Sequence, residues 1–116
     1  MAHSLGVYAV ILAAGESTRM GTDKALLPWP PVAPGSLPTG QTFLSAAIQA
    51  LDPFSERVIV VVGKNEANLA PVIYANGASL LRNPNPERGQ FSSLQTGLRE
   101  VLNHGRDSAM VTLVDR

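Results

Sequence analysis

The chain has 116 residues, nine basic and nine acidic, with a formal net charge of zero. A hydrophobic content of 45% suffices for one buried core at this length, and a charged fraction of only 16% argues against disorder. Zero net charge argues against a nucleic-acid or anionic-membrane partner, and the absence of cysteine excludes a disulfide scaffold, a thiolate metal site and a cysteine nucleophile.

The first apolar run, Val7–Ala13, reads as a strand. It is apolar almost throughout and does not alternate, the pattern of a strand covered on both faces. Only His3 precedes it as a basic group, so a buried strand explains the run better than a secretory leader. After a loop of small residues comes Pro28 to Gly40, with five prolines and two glycines, which predicts an extended loop. Trp29 stands at its start, and packing under the loop is favoured over stacking on a base. Thr42 is a candidate N-cap for a helix whose stripe is Phe43, Leu44, Ala47, Ile48 and Leu51, ended by Asp52-Pro53.

A second strand is predicted over Arg57–Gly63. Glu66–Ala75 is a weaker helical stretch, and Pro71 inside it predicts a short or broken helix. Ser79–Asn83 reads as a third strand. Phe91, Leu94, Leu98, Val101 and Leu102 then form a helical stripe that fades at Asn103-His104-Gly105, and Ala109–Val114 is the fourth strand. No apolar run approaches the roughly 20 residues of a membrane span. The βαβαβαβ order predicts an α/β fold with a doubly wound, mainly parallel sheet and right-handed crossovers.

The chemistry concentrates after the first strand, in residues 12–24, LAAGESTRMGTDK. Small residues leave the carboxyl end of a buried strand, Gly15 and Gly21 bracket a turn, and Arg19 and Lys24 follow. Small side chains let a backbone approach a polyphosphate, successive N–H groups can form an anion nest, and the cations neutralise charge. The spacing is not that of a P-loop, since five residues separate the two glycines and Lys24 comes three later. It is not the dinucleotide fingerprint either: GxGxxG is absent, and Gly63 stands where the acidic ribose ligand would end the second strand. In a 3-2-1-4 sheet the first and fourth strands are neighbours at the switch point, so Gly15 and Asp115 are expected to converge beyond their carboxyl ends.

This loop resembles that of the molybdenum cofactor cytidylyltransferase-like nucleotidyltransferases, built on the Rossmann-like nucleotide-diphospho-sugar transferase fold. Two further segments agree. Residues 89–98, GQFSSLQTGL, resemble the family's helix start, and residues 111–115, VTLVD, resemble its strand before a metal-binding Asp. The resemblance implies transfer of CMP, or another NMP, from a nucleoside triphosphate to a phosphorylated acceptor such as molybdopterin, with release of pyrophosphate, in the cytoplasm.

It implies that Leu12, Ala13, Ala14 and Gly15 line the nucleotide and that Arg19 and Lys24 hold the triphosphate as catalytic cations. Ser93 would meet the base, Asn83 would lie near the ribose or base, and Asp115 would bind Mg2+, with Mn2+ as the alternative. Ala14, in LAAG rather than LAGG, leans towards CTP over GTP. Each residue also has a plainer reading. Arg19 and Lys24 are solvated charges, Ser92 and Ser93 cap a helix, and Asn83 and Asp115 start turns.

The sequence stops at Arg116, whereas relatives of this kind continue for about as long again. Residues 1–116 are therefore expected to be the nucleotide-binding N-terminal part of one domain, truncated before its acceptor-binding half and inactive alone. The fourth strand would then be an exposed edge suited to self-association. The alternative is a non-catalytic nucleotide-binding or assembly module.

Overall fold

A computed structural model of the chain describes residues 6–15, 18–19, 22–30, 35 and 40–114. Four strands, β1 (Val7–Leu12), β4 (Arg57–Val62), β5 (Ser79–Arg82) and β6 (Ser108–Leu113), form one sheet in the order β5-β4-β1-β6. All three pairings are parallel. This is the 3-2-1-4 order expected for the doubly wound sheet. A short antiparallel pair, β2 (Thr18–Arg19) with β3 (Thr22–Asp23), lies within the small-residue loop and was not expected.

Helices α1 (Phe43–Leu51) and α2 (Glu66–Ala75) cover one face of the sheet, and α3 (Gln90–Asn103) covers the other. The first face buries Ala9, Ile11, Val58, Val60 and Val62 against Leu44, Ile48, Leu69 and Ile73. The second buries Tyr8, Val10, Leu12, Ile59 and Val61 against Val101, with Leu94 at its margin. Strands enclosed in this way need apolar residues at successive positions, which is why β1 and β4 do not alternate. β6 pairs only with β1 among the described residues, and its Val111 is 43% exposed.

Gly97 allows α3 to lie close on the sheet. A Cβ there would sit 2.7 Å from Val10 Cγ1 and 3.3 Å from Val61 Cγ2. At the amino end of the strands Glu56 joins three segments. Its Oε1 accepts from Gly6 N and Arg106 Nε, and its Oε2 accepts from Arg106 Nη2, each at 2.9 Å. These bonds, the Arg106 guanidinium foremost, hold the Glu56 carboxyl below the usual carboxylate range.

All four predicted strands end one residue late: Gly63 N–H is taken by Asn65 Oδ1, whereas Ala13, Asn83 and Val114 stay on the ladder. Each of these last three still donates one backbone bond to the neighbouring strand: Ala13 to Val61 O, Asn83 to Val62 O and Val114 to Leu12 O. The ladder persists there on one side only. α2 corrects the expectation of a short or broken helix, because it runs through Pro71 for ten residues. Pro71 and Ala67 are both exposed, so the carbonyl left without a helical partner can bond to water, while Leu69 and Ile73 anchor the opposite face. The proline-rich loop is tied at its base by a Pro28–Thr42 bridge, and Trp29 packs edge-on against Phe43 at 5.2 Å. Among the described residues no helix is long and apolar enough to cross a membrane.

Candidate nucleotide site

Three chain segments meet at the carboxyl end of the central strands. The first is the exit from β1, where Ala13 and Ala14 are buried and Gly15 is half-buried. The second is the turn after β4. Gly63 is buried there, and a Cβ on it would fall 2.7 Å from Pro86 Cβ and 3.2 Å from Ala14 O. Only a hydrogen fits between the β1 exit and the third segment, the single turn Pro86–Arg88 that leads into α3.

Gly89, the cap residue before α3, has a φ of 94°, in the left-handed region open to glycine. The chain can therefore turn sharply and aim the amino end of a 14-residue helix back at the β1 exit. Ala14, Gly15, Pro86, Glu87, Gly89, Gln90 and Ser93 enclose a cavity of about 230 Å³ between them. A helix amino terminus and a small-residue backbone facing one cavity favour an anionic or strongly polar ligand.

Asn83 and Ser93 are only 2% exposed. Asn83 Nδ2 donates to Ser92 Oγ and Ser93 Oγ, both at 2.9 Å, and its Oδ1 accepts from Asn85 N at 2.9 Å. Ser92 Oγ donates in turn to Gly89 O at 2.7 Å. The end of β5 thus holds the first turn of α3 through one carboxamide. Both amide hydrogens of Asn83 serve that purpose, and the side chain stands behind Ser93 rather than in the cavity wall.

Of the residues expected at the site, Ala14, Gly15 and Ser93 line one cavity. Leu12 and Ala13 sit directly upstream, in β1 and at its exit. Lys24 opens the single turn Lys24–Leu26 and is half-buried. The backbone of Arg19 lies in β2, paired with Thr22. Asp115 lies outside the described residues, directly after Val114, whose N–H donates to Leu12 O at 3.3 Å beside the β1 exit. Among the described residues no group of three or more His, Cys, Asp or Glu could hold a metal ion.

Glu87 and Gln90 also line the cavity. Nothing local marks either residue, because the wall forms only when α3 docks. Trp29 is 45% exposed and lines an apolar pocket with Phe43, Ala46 and Leu113, while residues 31–34 and 36–39 of the loop it is expected to pack under lie outside the described residues.

A family profile for the MobA-like NTP transferase domain matches residues 9–116. The chain belongs to this family. A probable molybdenum cofactor guanylyltransferase from Rhodopirellula baltica (strain DSM 10527 / NCIMB 13988 / SH1) is 34% identical over 109 residues, covering 94% of this chain and 48% of that protein. The crystal structure of Rv0371c from Mycobacterium tuberculosis H37Rv superposes with a TM-score of 0.66 at 26% identity, covering 94% of this chain and 52% of that one. The chain therefore spans about half the length of these relatives. The MobA-like assignment agrees with the order of the sheet and with the loop motif read from the sequence.

Proposed function

We propose that this chain is the nucleotide-binding part of an enzyme that moves a nucleotidyl group from a nucleoside triphosphate to a phosphorylated acceptor. The observation that carries the reading is the cavity between the β1 exit and the amino end of α3. An oxygen of the acceptor phosphate attacks the α-phosphorus, the bond to the β-phosphate oxygen breaks, and pyrophosphate leaves. Such a transfer depends on positioning and charge neutralisation more than on a protein nucleophile.

The backbone of Leu12–Gly15 fixes the nucleotide, and Arg19 and Lys24 neutralise the triphosphate. Ser93 faces the base, with Asn83 holding it from behind. Asp115, with phosphate oxygens, would supply one carboxylate of a Mg2+ site, with Mn2+ as the alternative, and one carboxylate alone does not complete it. Bound there, the ion would stabilise negative charge on the phosphates.

Ala14 favours CTP, whereas the Rhodopirellula relative is named a guanylyltransferase, which makes GTP the second reading. That name also supports a molybdopterin phosphate as the acceptor. The test is pyrophosphate release by the longest natural form of the protein from CTP and from GTP in separate assays, with Mg2+ and molybdopterin as the acceptor. Release with either nucleotide supports transfer, and the preferred one identifies the base. Absence of nucleotide binding in a thermal-shift series with both would refute the proposal.

A further inference from the structure

Asn65 occupies an unusual place in the sheet. The register pairs Leu12 with Val61, so Ala13 is opposite Val62. In a parallel ladder Ala13 N–H then bonds Val61 O, and the next rung runs from Gly63 N–H to Ala13 O. The first of these bonds is present at 2.9 Å. The second is replaced. Gly63 N–H donates to Asn65 Oδ1 at 3.0 Å, and Asn65 Nδ2 donates to Ala13 O at 2.7 Å.

The carboxamide is therefore inserted into the last rung, offering one acceptor and one donor where the strands would otherwise meet. Both buried backbone groups stay satisfied, and β1 and β4 are parted there by the width of an amide. Asn65 is also the N-cap residue of α2, yet its side chain makes no capping bond. An asparagine at that position ordinarily serves the helix. Here its side chain serves the β1 exit instead.

We infer that Asn65 is a positioning residue whose inserted carboxamide turns Ala13–Gly15 out of the sheet and sets their backbone towards the nucleotide. The inference rests on the nucleotide reading above. It assigns to Asn65 the direction of the loop, and to Gly63 the room for it beside Pro86. Asn65 touches the backbone that would hold the ligand, and its effect passes through that backbone.

The discriminating variant is Asn65→Asp. It keeps the acceptor for Gly63 N–H and sets a carboxylate oxygen against Ala13 O. Two measurements on the whole chain test it, with Thr42→Ala as a destabilised control whose change lies at the start of α1. First, in the absence of nucleotide, the amide resonances of Ala14 and Gly15 should shift and exchange faster in Asn65→Asp, and stay in place in Thr42→Ala. Second, affinity for the nucleoside triphosphate with Mg2+ should fall about tenfold in Asn65→Asp, the loss expected for one strong hydrogen bond, and stay near wild type in the control.

Loop amides unmoved in Asn65→Asp would overturn the inference, and so would unchanged affinity. If the wild-type chain binds neither CTP nor GTP, the nucleotide reading fails. The loop amides alone then decide whether Asn65 directs the β1 exit.

Discussion

Replacing Gly97 by alanine sets two effects against each other. Alanine favours a helix over glycine by about 1 kcal/mol, so α3 taken alone would be stabilised. In the folded protein the new Cβ lies 2.7 Å from Val10 Cγ1 and 3.3 Å from Val61 Cγ2. Carbon atoms prefer roughly 3.5–4.0 Å, so α3 must retreat by about 1 Å or Val10 must leave its rotamer. Val10 and Val61 are completely buried in the central strands and cannot move outward. Overpacking of this kind costs about 1–3 kcal/mol, which leaves a net loss of about 0–2 kcal/mol. A loss of 1 kcal/mol corresponds to a fall in melting temperature of roughly 3–6 °C for a chain of this size.

Urea unfolding followed by circular dichroism measures the change. The midpoint should fall in Gly97→Ala and recover, relative to its own parent, when the same change is made in a Val10→Ala background that opens the space. Ser93 lies one turn before Gly97 on the same face of α3, so the retreat should also weaken nucleotide binding. A midpoint that rises in the wild-type background would show that helix propensity outweighs the close approach, and would refute the packing argument.

Other consequences follow from local bonds. Thr42 Oγ1 accepts from Ser45 N at 3.0 Å while Ser45 Oγ accepts from Thr42 N at 2.8 Å, so Thr42→Ala should cost about 1 kcal/mol by urea unfolding. The Glu56 carboxyl is held below its usual range by Arg106 and Gly6 N, so its contribution is complete above the unfolded carboxylate pKa of about 4 and is lost as pH falls through the lowered folded value. The melting-temperature gap between wild type and Glu56→Gln should therefore be widest near neutrality and close in acid; a gap independent of pH would contradict this. On the proposed function, Lys24→Ala should weaken triphosphate affinity by about 1.5–3 kcal/mol in a calorimetric titration, as for a charge-assisted contact.

The sheet could be read from the sequence because its information is local. Runs such as Arg57–Val62, apolar at successive positions, leave no other way to bury both faces, and the motif order places the loop at the switch point. The ends of the strands were harder to read, since Ala13, Asn83 and Val114 keep one ladder bond each and side-chain pattern does not register a half-finished rung. Pro71 misled because its propensity is local, while the exposure that excuses it is tertiary.

At the site, the small residues of the β1 exit announced themselves. Asn65 did not. An asparagine before a helix looks like a cap, and only the register of β1 against β4 shows its carboxamide standing in for a backbone bond. Glu87 and Gln90 likewise join the cavity through the docking of α3. The expectations for the Asp115 carboxylate and the Arg19 side chain fall outside the described residues.

A backbone-amide NMR titration with CTP and with GTP, each with Mg2+, shows whether a nucleoside triphosphate sits between the β1 exit and the amino end of α3. Shifts concentrated at Ala13–Gly15, Gly63 and Gly89–Ser93 are the predicted result. Shifts confined to the polar groove on the far side of α3, around Leu81, Gln95 and Arg99, or no shift with either nucleotide, would contradict it.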